Sequence, residues 1–198
     1  MRRLAALLLL LSAPPVVQAA DFSSAYTDLD LNRCRLVEQS PEGEGEAYAR
    51  WLCTGFAGIP LTYAEGDLRG MLAVGKGGKD HCAMTQTFGP FNTPGTTLEW
   101  RLKNGRPIAV ILRWKLSEPE NPDVTHDWLA VTRWTAHDSC RIAVVQGRLP
   151  NANALARQAA DELAESFDCR RDAVKVYADP PMPASEIMIS NSPCQTEE

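Results

Sequence analysis

Six cysteines constrain this chain more than any other feature of its sequence. They are Cys34, Cys53, Cys82, Cys140, Cys169 and Cys194. Their number is even, and no C-x-x-C spacing occurs that would favour a zinc site or a thioredoxin-like redox pair. In an exported chain this pattern predicts disulfides. Spacing alone does not decide the connectivity, but pairing near neighbours favours Cys34–Cys53 and Cys140–Cys169, which leaves Cys82–Cys194.

Export itself is predicted from the N-terminus. Arg2 and Arg3 precede the apolar run 4–11, and small residues around Ala19 offer a cleavage site, which is the pattern of a signal peptide. The apolar run is much shorter than the ~20 residues of a membrane-spanning helix. We therefore expect a signal peptide over residues 1–19 and no membrane span. Residues 20–198 are expected to form a single secreted, disulfide-bonded domain with a loose C-terminal tail, in the periplasm or outside the cell.

The charge of the chain argues against two classes of partner. The net charge of −5 becomes −7 once the two arginines of residues 1–19 are removed. Binding to nucleic acid or to an anionic membrane requires a basic surface, and no run rich in Lys or Arg occurs. We expect no nucleic-acid partner.

Alternation of apolar and polar residues predicts strands, separated by Gly, Pro, Asn and Asp clusters such as the loops 75–81, 89–95 and 117–124. The strand candidates are Cys34–Glu38, Ala47–Thr54, Ile59–Ala64, Leu68–Val74, Thr97–Lys103, Ile108–Leu116, Trp128–Thr135 and Cys140–Val145, with a possible last strand Asp172–Ala178. Five tryptophans lie on these strands, and we expect them in the core, with an aromatic platform for a sugar or peptide as the alternative. They are Trp51, Trp100, Trp114, Trp128 and Trp134.

One helix is predicted near the C-terminus, from Asn151 or Asn153 to about Phe167. An apolar stripe recurs every four residues, and Arg157 and Asp161 are spaced to pair on the exposed side. Strands followed by one helix predict an α+β domain, a mainly antiparallel curved sheet covered by the C-terminal helix. A β-sandwich with the helix at one edge is the alternative.

The hairpin around Asn104-Gly105 allows a prediction of register. A two-residue turn would place Trp100 opposite Ala109 and mix the two faces of the hairpin. A three-residue loop, 103–105, places Trp100 opposite Ile108 and Leu98 opposite Val110, so that the large apolar side chains share one face. We predict this loop, with a positive φ at Gly105.

No pattern in the sequence carries a recognisable chemistry. Residues 70–77 nearly spell a phosphate-binding loop but lack its hydroxyl, and neither G-x-S-x-G nor HExxH occurs. We predict no catalytic, cofactor-binding or metal-binding residue and no cofactor. Four arginines within predicted strands form a candidate binding patch for an acidic ligand, with a plain solvated sheet face as the alternative. They are Arg69, Arg101, Arg113 and Arg133.

Several segments together suggest a family. They are 26–30 (YTDLD), 51–53 (WLC), 65–69 (EGDLR), 90–92 (PFN), 98–101 (LEWR) and 153–161 (NALARQAAD). This set resembles an uncharacterised family of small exported proteins of Gram-negative bacteria. The resemblance covers most of residues 26–169 and implies export, but it implies no activity and no site residue.

Three functional hypotheses follow. The first is a non-enzymatic binding module in the periplasm, for an envelope protein or a glycan. The second is a periplasmic hydrolase whose site forms only in three dimensions, with Glu65, Asp67 and His81 as its members. The third is a structural or stress-protective envelope protein.

Overall fold

Strands account for most of the regular secondary structure, as the alternating pattern predicts. The structure, a computed structural model, describes residues 20–41, 43, 45, 47–189 and 194. The predicted signal peptide, residues 1–19, lies outside these residues. The described chain forms ten β-strands and one α-helix. They are β1 (Phe22–Asp28), β2 (Arg35–Gln39), β3 (Tyr48–Thr54), β4 (Pro60–Gly66), β5 (Arg69–Val74), β6 (Asn92–Lys103), β7 (Arg106–Ser117), β8 (Thr125–Trp134), β9 (Ser139–Gln146), α1 (Ala152–Leu163) and β10 (Lys175–Tyr177).

These strands form two sheets. Sheet A has the order β1-β6-β7-β8-β9-β10 and is antiparallel except for β10, which pairs parallel to β9. Sheet B has the order β2-β3-β4-β5 and is antiparallel throughout. Helix α1 covers sheet A, so the predicted α+β class, with a C-terminal helix on a mainly antiparallel sheet, is confirmed. The division of the strands between two packed sheets is a feature of the β-sandwich alternative.

The main core lies between the two sheets and is built around aromatic side chains. Trp100 and Trp114 of sheet A are buried there, and Tyr63 of sheet B lies 6.5 Å from Trp114 between ring centroids. Gly70 in β5 makes this approach possible, because a Cβ atom there would lie 2.5 Å from Cζ3 of Trp114. Trp128 is also buried, so three of the five tryptophans are core residues; the other two, in β3 and β8, are partly buried.

A second core lies between sheet A and α1. Ala156, Ala159 and Ala160 are fully buried against β7, β8 and β9, because alanine lets the helix axis come close to a sheet. The helix ends at Leu163, one turn before the predicted end at Phe167. No helix in the described part of the chain is long and apolar enough to cross a membrane.

The loop between β6 and β7 is shorter than predicted. Lys103 pairs with Arg106, so the loop has two residues, Asn104 and Gly105, and the predicted three-residue loop is wrong. Gly105 has the predicted positive φ, 75°, and Asn104 has a φ of 50°.

A β-bulge at Ile108 reconciles this short loop with burial. The register shifts by one residue there, so that Trp100 lies opposite Val110 and Leu98 lies opposite Leu112. Both predicted partners were therefore wrong. The bulge restores the parity of the two strands, and the large apolar side chains still share one face.

The sequence patterns miss β1 and the first part of β6. β1, the edge strand of sheet A, has no clear apolar face, because Phe22 and Tyr26 alternate with Ser24 and Asp28 on one face and the other face carries only small residues. β6 begins at Asn92, inside the predicted loop 89–95, and its pairing with β7 is interrupted between Pro94 and Leu98. Proline and glycine at an irregular strand end look like loop residues in a sequence.

Three disulfides connect the elements, with the connectivity that near-neighbour pairing favours. Cys34–Cys53 joins the start of β2 to β3, and Cys140–Cys169 joins β9 to the segment after α1. Cys82–Cys194 closes the longest loop, with a sequence separation of 112 residues. Each bridge stabilises the fold by roughly 2–4 kcal/mol, mainly by restricting the unfolded chain. Three disulfides indicate an oxidising compartment outside the cytosol.

The C-terminal tail is packed further than the prediction of a loose segment implies. Ala184, Ile187 and Met188 are buried in the main core, and Met188 forms a β-bridge with Phe88. Residues 190–193 and 195–198 lie outside the described residues. The tail is therefore packed against the domain at least as far as Met188.

Arg141 in β9 is a charged side chain within the main core. It is 2% exposed, and its guanidinium lies 4.5 Å from the centroid of the Phe88 ring. Its Nε and Nη1 atoms have no hydrogen-bond partner among the described residues. Burial lowers the pKa of Arg141 to about 9, so the group still carries its charge at neutral pH. A buried cation without a carboxylate partner lowers the stability of the fold.

Arg141→Met should therefore raise the free energy of unfolding, by about 1–4 kcal/mol, because it removes the buried charge at similar volume. Urea denaturation of the oxidised protein measures the change. Arg106→Met is the matched control: Arg106 is exposed in β7, and its replacement should change stability by less than about 0.5 kcal/mol. A less stable Arg141→Met variant would show that stacking on Phe88 outweighs the cost of burial.

Candidate functional site

The four arginines of the predicted binding patch do not lie together. Arg101, Arg113 and Arg133 extend from sheet A toward α1 and the segment after it, whereas Arg69 lies in β5 of sheet B. The sheet face that carries the first three is covered by α1, so it is not a plain solvated face. Only Arg69 lies beside an open cleft with a largely apolar lining.

Arg101 and its neighbour Glu99 fasten β6 to the helix. Arg101 donates to both carboxylate oxygens of Asp161, with Nε–Oδ1 at 2.6 Å and Nη2–Oδ2 at 2.7 Å. Arg157 donates from Nε to Oε1 of Glu99 at 2.6 Å. Arg157 and Asp161, which their spacing predicts to pair with each other, thus pair with the sheet instead. These hydrogen bonds, together with the negative charges, raise the pKa of both guanidinium groups.

Arg113 and Arg133 are held in the same way. Arg113 donates to Asp127 at 3.1 Å and to Oδ1 of Asn153 at 2.9 Å. Arg133 donates to the carbonyl oxygen of Phe167. A groove of about 400 Å³ lies beside this network and is lined in part by its residues. Arg101 and Arg113 are therefore paired with carboxylates, and all three arginines connect sheet A to α1 or to the segment after it, which makes their role structural.

The residues proposed for the hydrolase alternative are also separated. Asp67 lies in the turn before β5 and pairs with Arg69, while His81 packs against Gly75, just after the other end of β5. The length of that strand puts these two residues about 20 Å apart. Glu65 accepts a hydrogen bond from Tyr63 at 3.1 Å, and the burial of Tyr63 raises the pKa of its phenol. The three side chains do not form one site.

Two of the three histidines likewise have local side-chain partners. The Nδ1 atom of His81 lies 3.1 Å from Oγ of Ser139, and both residues are buried. His126 lies 2.5 Å from a carboxylate oxygen of Glu118. Within the described residues, no group of three or more His, Cys, Asp or Glu side chains is arranged to hold a metal ion.

A different surface has the features of a binding site. An open cleft of about 440 Å³ lies where the β4–β5 hairpin meets the start of β6 and the β7–β8 loop. We call it the hairpin cleft, and it is lined by Arg69, Gly89, Pro90, Phe91, Ser117, Glu118, Pro119, Pro122 and Glu186. Three prolines and a phenylalanine make its surface rigid and apolar, which are properties that favour recognition of an apolar side chain.

Arg69 organises one wall of the hairpin cleft. Its Nε atom donates to the carbonyl oxygen of Gly89 at 2.7 Å, and its Nη1 atom donates to the carbonyl oxygen of Asp67 at 3.1 Å. Its guanidinium lies 4.9 Å from the centroid of the Phe91 ring. Arg69 therefore fixes the position of the 89–91 segment, and it occupies one face of the aromatic ring.

The tip of the β4–β5 hairpin carries an exposed leucine in an unfavourable conformation. Gly66 pairs with Arg69, so that Asp67 and Leu68 form a two-residue turn with φ values of 50° and 58°. The left-handed region costs an L-residue roughly 1–2 kcal/mol, and a bulky side chain is rarely found there. The β6–β7 hairpin has the same kind of turn with Asn104 and Gly105, the residues that such turns prefer.

Leu68 belongs to a group of exposed apolar residues around the hairpin cleft. It is 58% exposed, and its carbonyl oxygen accepts a hydrogen bond from the amide of Asn92, next to Phe91. Phe91 is 39% exposed and Val124, in the β7–β8 loop, is 38% exposed. These three are half of the large apolar residues exposed in the described chain. Their position around one cleft points to a contact surface.

The charges near the hairpin cleft are mostly negative. Glu186 lines the cleft, and Glu120 and Asp123 lie on the β7–β8 loop. None of these three has an ion pair with a described residue. By contrast, Arg69 is paired with Asp67. A ligand that enters the cleft therefore meets free carboxylates rather than free cations.

Sequence reasoning missed Leu68 and Phe91 as functional candidates. It placed Leu68 at the start of a strand and Phe91 in the predicted loop 89–95, without a functional role for either residue. The strand candidates 59–64 and 68–74 leave only residues 65–67 between them, which predicts a tight turn but does not show that Leu68 belongs to it. Two of the segments quoted for the family resemblance, 65–69 and 90–92, meet at this cleft.

Comparison with known proteins adds no functional information. The chain matches no protein-family model, no curated protein and no solved structure. The resemblance to a family of exported proteins therefore stays a prediction. The function has to be inferred from the residues of the chain itself.

Leu68→Gly should raise the free energy of unfolding by up to about 1 kcal/mol, because glycine adopts the left-handed conformation without steric cost. Leu36→Gly is the matched control: Leu36 is 46% exposed but lies in β2, where its φ is negative. There, glycine should lower stability by roughly 0.5–1 kcal/mol. Thermal and urea denaturation of both variants measure the contrast. Equal effects at the two positions would contradict the strain assigned to Leu68.

Proposed function

We propose that this chain is a non-enzymatic binding module of the periplasm, and that its hairpin cleft binds an extended segment of an envelope protein. The observation that carries the proposal is Leu68, which is both strained and exposed beside the cleft. An exposed apolar side chain that costs stability in the free protein gains a compensating interaction when a partner covers it.

Support for the compartment comes from three features. Three disulfides require an oxidising environment. The pattern of residues 1–19 predicts a signal peptide, and the family resemblance implies export from a Gram-negative cytosol. The periplasm meets all three conditions.

The chemistry of the cleft favours a protein segment over a glycan. A sugar needs hydrogen-bond donors for its hydroxyl groups and a free aromatic face on which to stack. Arg69 directs its donors to Gly89 and Asp67, and its guanidinium covers one face of Phe91. The prolines of the lining donate no hydrogen bonds through their nitrogens. An apolar side chain needs none of these groups.

The free carboxylates specify a second property of the partner. Glu186 on the cleft and Glu120 and Asp123 beside it attract a cation, and they repel an acidic segment. The partner segment should therefore carry an apolar side chain for the cleft and a lysine or arginine nearby. Binding should weaken as salt is added, since exposed charges are screened.

An array of random octapeptides, probed with labelled protein at low salt, tests this proposal. Wild-type protein should enrich peptides that combine a large apolar residue with Lys or Arg. Phe91→Ser should weaken binding to the enriched peptides roughly tenfold or more, because a buried aromatic contact contributes about 1.5–3 kcal/mol. Leu36→Ser removes an equally exposed apolar residue from β2 and should leave binding unchanged.

The charge preference has its own control. Glu186→Lys should shift the enriched peptides away from Lys and Arg while leaving the apolar preference in place. Denaturation midpoints close to that of the wild type establish that each variant is folded. Absence of any enriched peptide, or enrichment that survives Phe91→Ser, would refute the cleft as the binding surface.

A further inference from the structure

A second cleft with the dimensions of a binding site lies at the opposite end of β4 from the hairpin cleft. It has a volume of about 730 Å³ and opens between the end of β1 in sheet A and strands β2, β3 and β4 of sheet B. Pro60, the first residue of β4, lines it, whereas the hairpin cleft adjoins the turn after Gly66. The length of β4 separates the two clefts by about 20 Å. A volume of this size suits a small-molecule ligand.

Four charged residues, two acidic and two basic, line this second cleft, and we call it the polar cleft. They are Asp28, Asp30, Arg33 and Arg35. Although both signs of charge line one cleft, none of the four forms an ion pair within the described chain. Asp30 accepts a hydrogen bond from the amide of Asn32 at 3.0 Å, and the other three side chains have no polar partner among the described residues. The polar cleft therefore presents unpaired charges of both signs to a ligand.

The arginines of the polar cleft differ from most others in this protein. Most guanidinium groups in the described chain donate to an acceptor of the same chain, as those of Arg50, Arg101 and Arg157 do. Arg33 and Arg35 are exposed and have no such acceptor there. Guanidinium groups bind carboxylates strongly, because their planar fork donates two parallel hydrogen bonds. These two arginines are therefore available to a carboxylate from outside the chain.

The backbone that carries the four charges is anchored at two points. Cys34 lies between the two arginines in an extended conformation and is bridged to Cys53. An extended residue directs its two neighbours to the same side of the chain. Leu29 lies between the two aspartates; it is 4% exposed, and its amide donates to the carbonyl oxygen of Thr96 at 2.8 Å. The two anchors hold the acidic pair and the basic pair at separate positions around one cleft.

We propose that the polar cleft binds a short peptide through its free termini, with the carboxylate against the two arginines and the ammonium group against the two aspartates. A zwitterion satisfies both pairs of charges at once. A ligand with only negative charge is repelled by the aspartates, and one with only positive charge is repelled by the arginines. The volume of the polar cleft favours a peptide over a single amino acid. The proposal does not rest on the proposed function, because the hairpin cleft is a separate surface.

A further donor in the polar cleft suits the backbone of such a peptide. The hydroxyl oxygen of Thr27 accepts from Nε1 of the buried Trp100 at 2.8 Å, which fixes its position at the end of β1. Its own proton has no acceptor among the described residues, so it can donate to a peptide carbonyl oxygen. Because the lining is mainly polar, we expect recognition of the termini and the backbone rather than of large side chains.

Calorimetric titration of the purified, oxidised protein with alanine peptides of one to four residues tests the proposal. One length should bind most tightly, because the acidic and basic pairs lie at separate, anchored positions. Acetylation of the N-terminus and amidation of the C-terminus of that peptide should each weaken binding at least tenfold, since each removes one charge. The peptide blocked at both ends should bind more weakly than either. Added salt should weaken binding of the free peptide.

Substitutions assign each terminus to its partners. The double variant Arg33→Gln/Arg35→Gln should bind the free peptide at least tenfold more weakly, but it should bind the amidated peptide as the wild type does. Asp28→Asn should weaken binding of the free peptide and lose the preference over the acetylated one. Arg106→Gln replaces an exposed arginine of β7 outside the polar cleft and should leave every affinity unchanged. Denaturation midpoints close to that of the wild type establish that the variants are folded.

Two results would overturn the proposal. One is a series in which no alanine peptide binds, or in which the free and doubly blocked peptides bind equally well. The other is a double arginine variant that still distinguishes the free peptide from its amide. Neither result bears on the hairpin cleft, which the octapeptide array and Phe91→Ser test separately.

Discussion

The contact between Trp114 and Gly70 determines where the candidate site lies. A side chain at Gly70 would collide with the Trp114 ring, so the absence of one allows β5 to lie against sheet A. In that position the Gly70 amide donates to Asn92, which ties β5 to the first residue of β6. Arg69 and Phe91 are the chain neighbours of these two residues, and they come into contact as a consequence. The hairpin cleft therefore depends on a packing contact in the core.

The preference for near-neighbour cysteine pairs and the apolar pattern predicted the disulfides and the class of fold correctly. Near-neighbour pairing of the cysteines works because Cys34–Cys53 and Cys140–Cys169 each join elements that are close along the chain. The alternation of apolar and polar residues identifies most strands, but it does not reveal a β-bulge. The two-residue turn at Asn104-Gly105, together with the bulge at Ile108, produces the same buried face as the three-residue loop that we predicted. Burial specifies which side chains share a face, but different combinations of turn length and bulge can produce the same face.

The site was less predictable, because its features arise from contacts between distant segments. Parity correctly places Arg101 and Arg113 on one face of the sheet, but it does not show that Asp161 and Asn153 of the helix reach them. An arginine within a strand therefore indicates a charged face, and only the packing shows whether that face is free. Leu68 is the opposite case. Its sequence context is ordinary, and its significance depends on its positive φ angle, which only the structure shows.

Exposure separates two kinds of unfavourable feature in this protein. Arg141 is costly but buried, and the stacked Phe88 ring offsets part of the cost within the same chain. Leu68 is exposed, so no side-chain packing inside the described chain offsets its strain. Three disulfides and two cores give the fold enough stability to retain such features. Water does not compensate the strain at Leu68, and under the proposed function a bound partner would do so by covering its side chain.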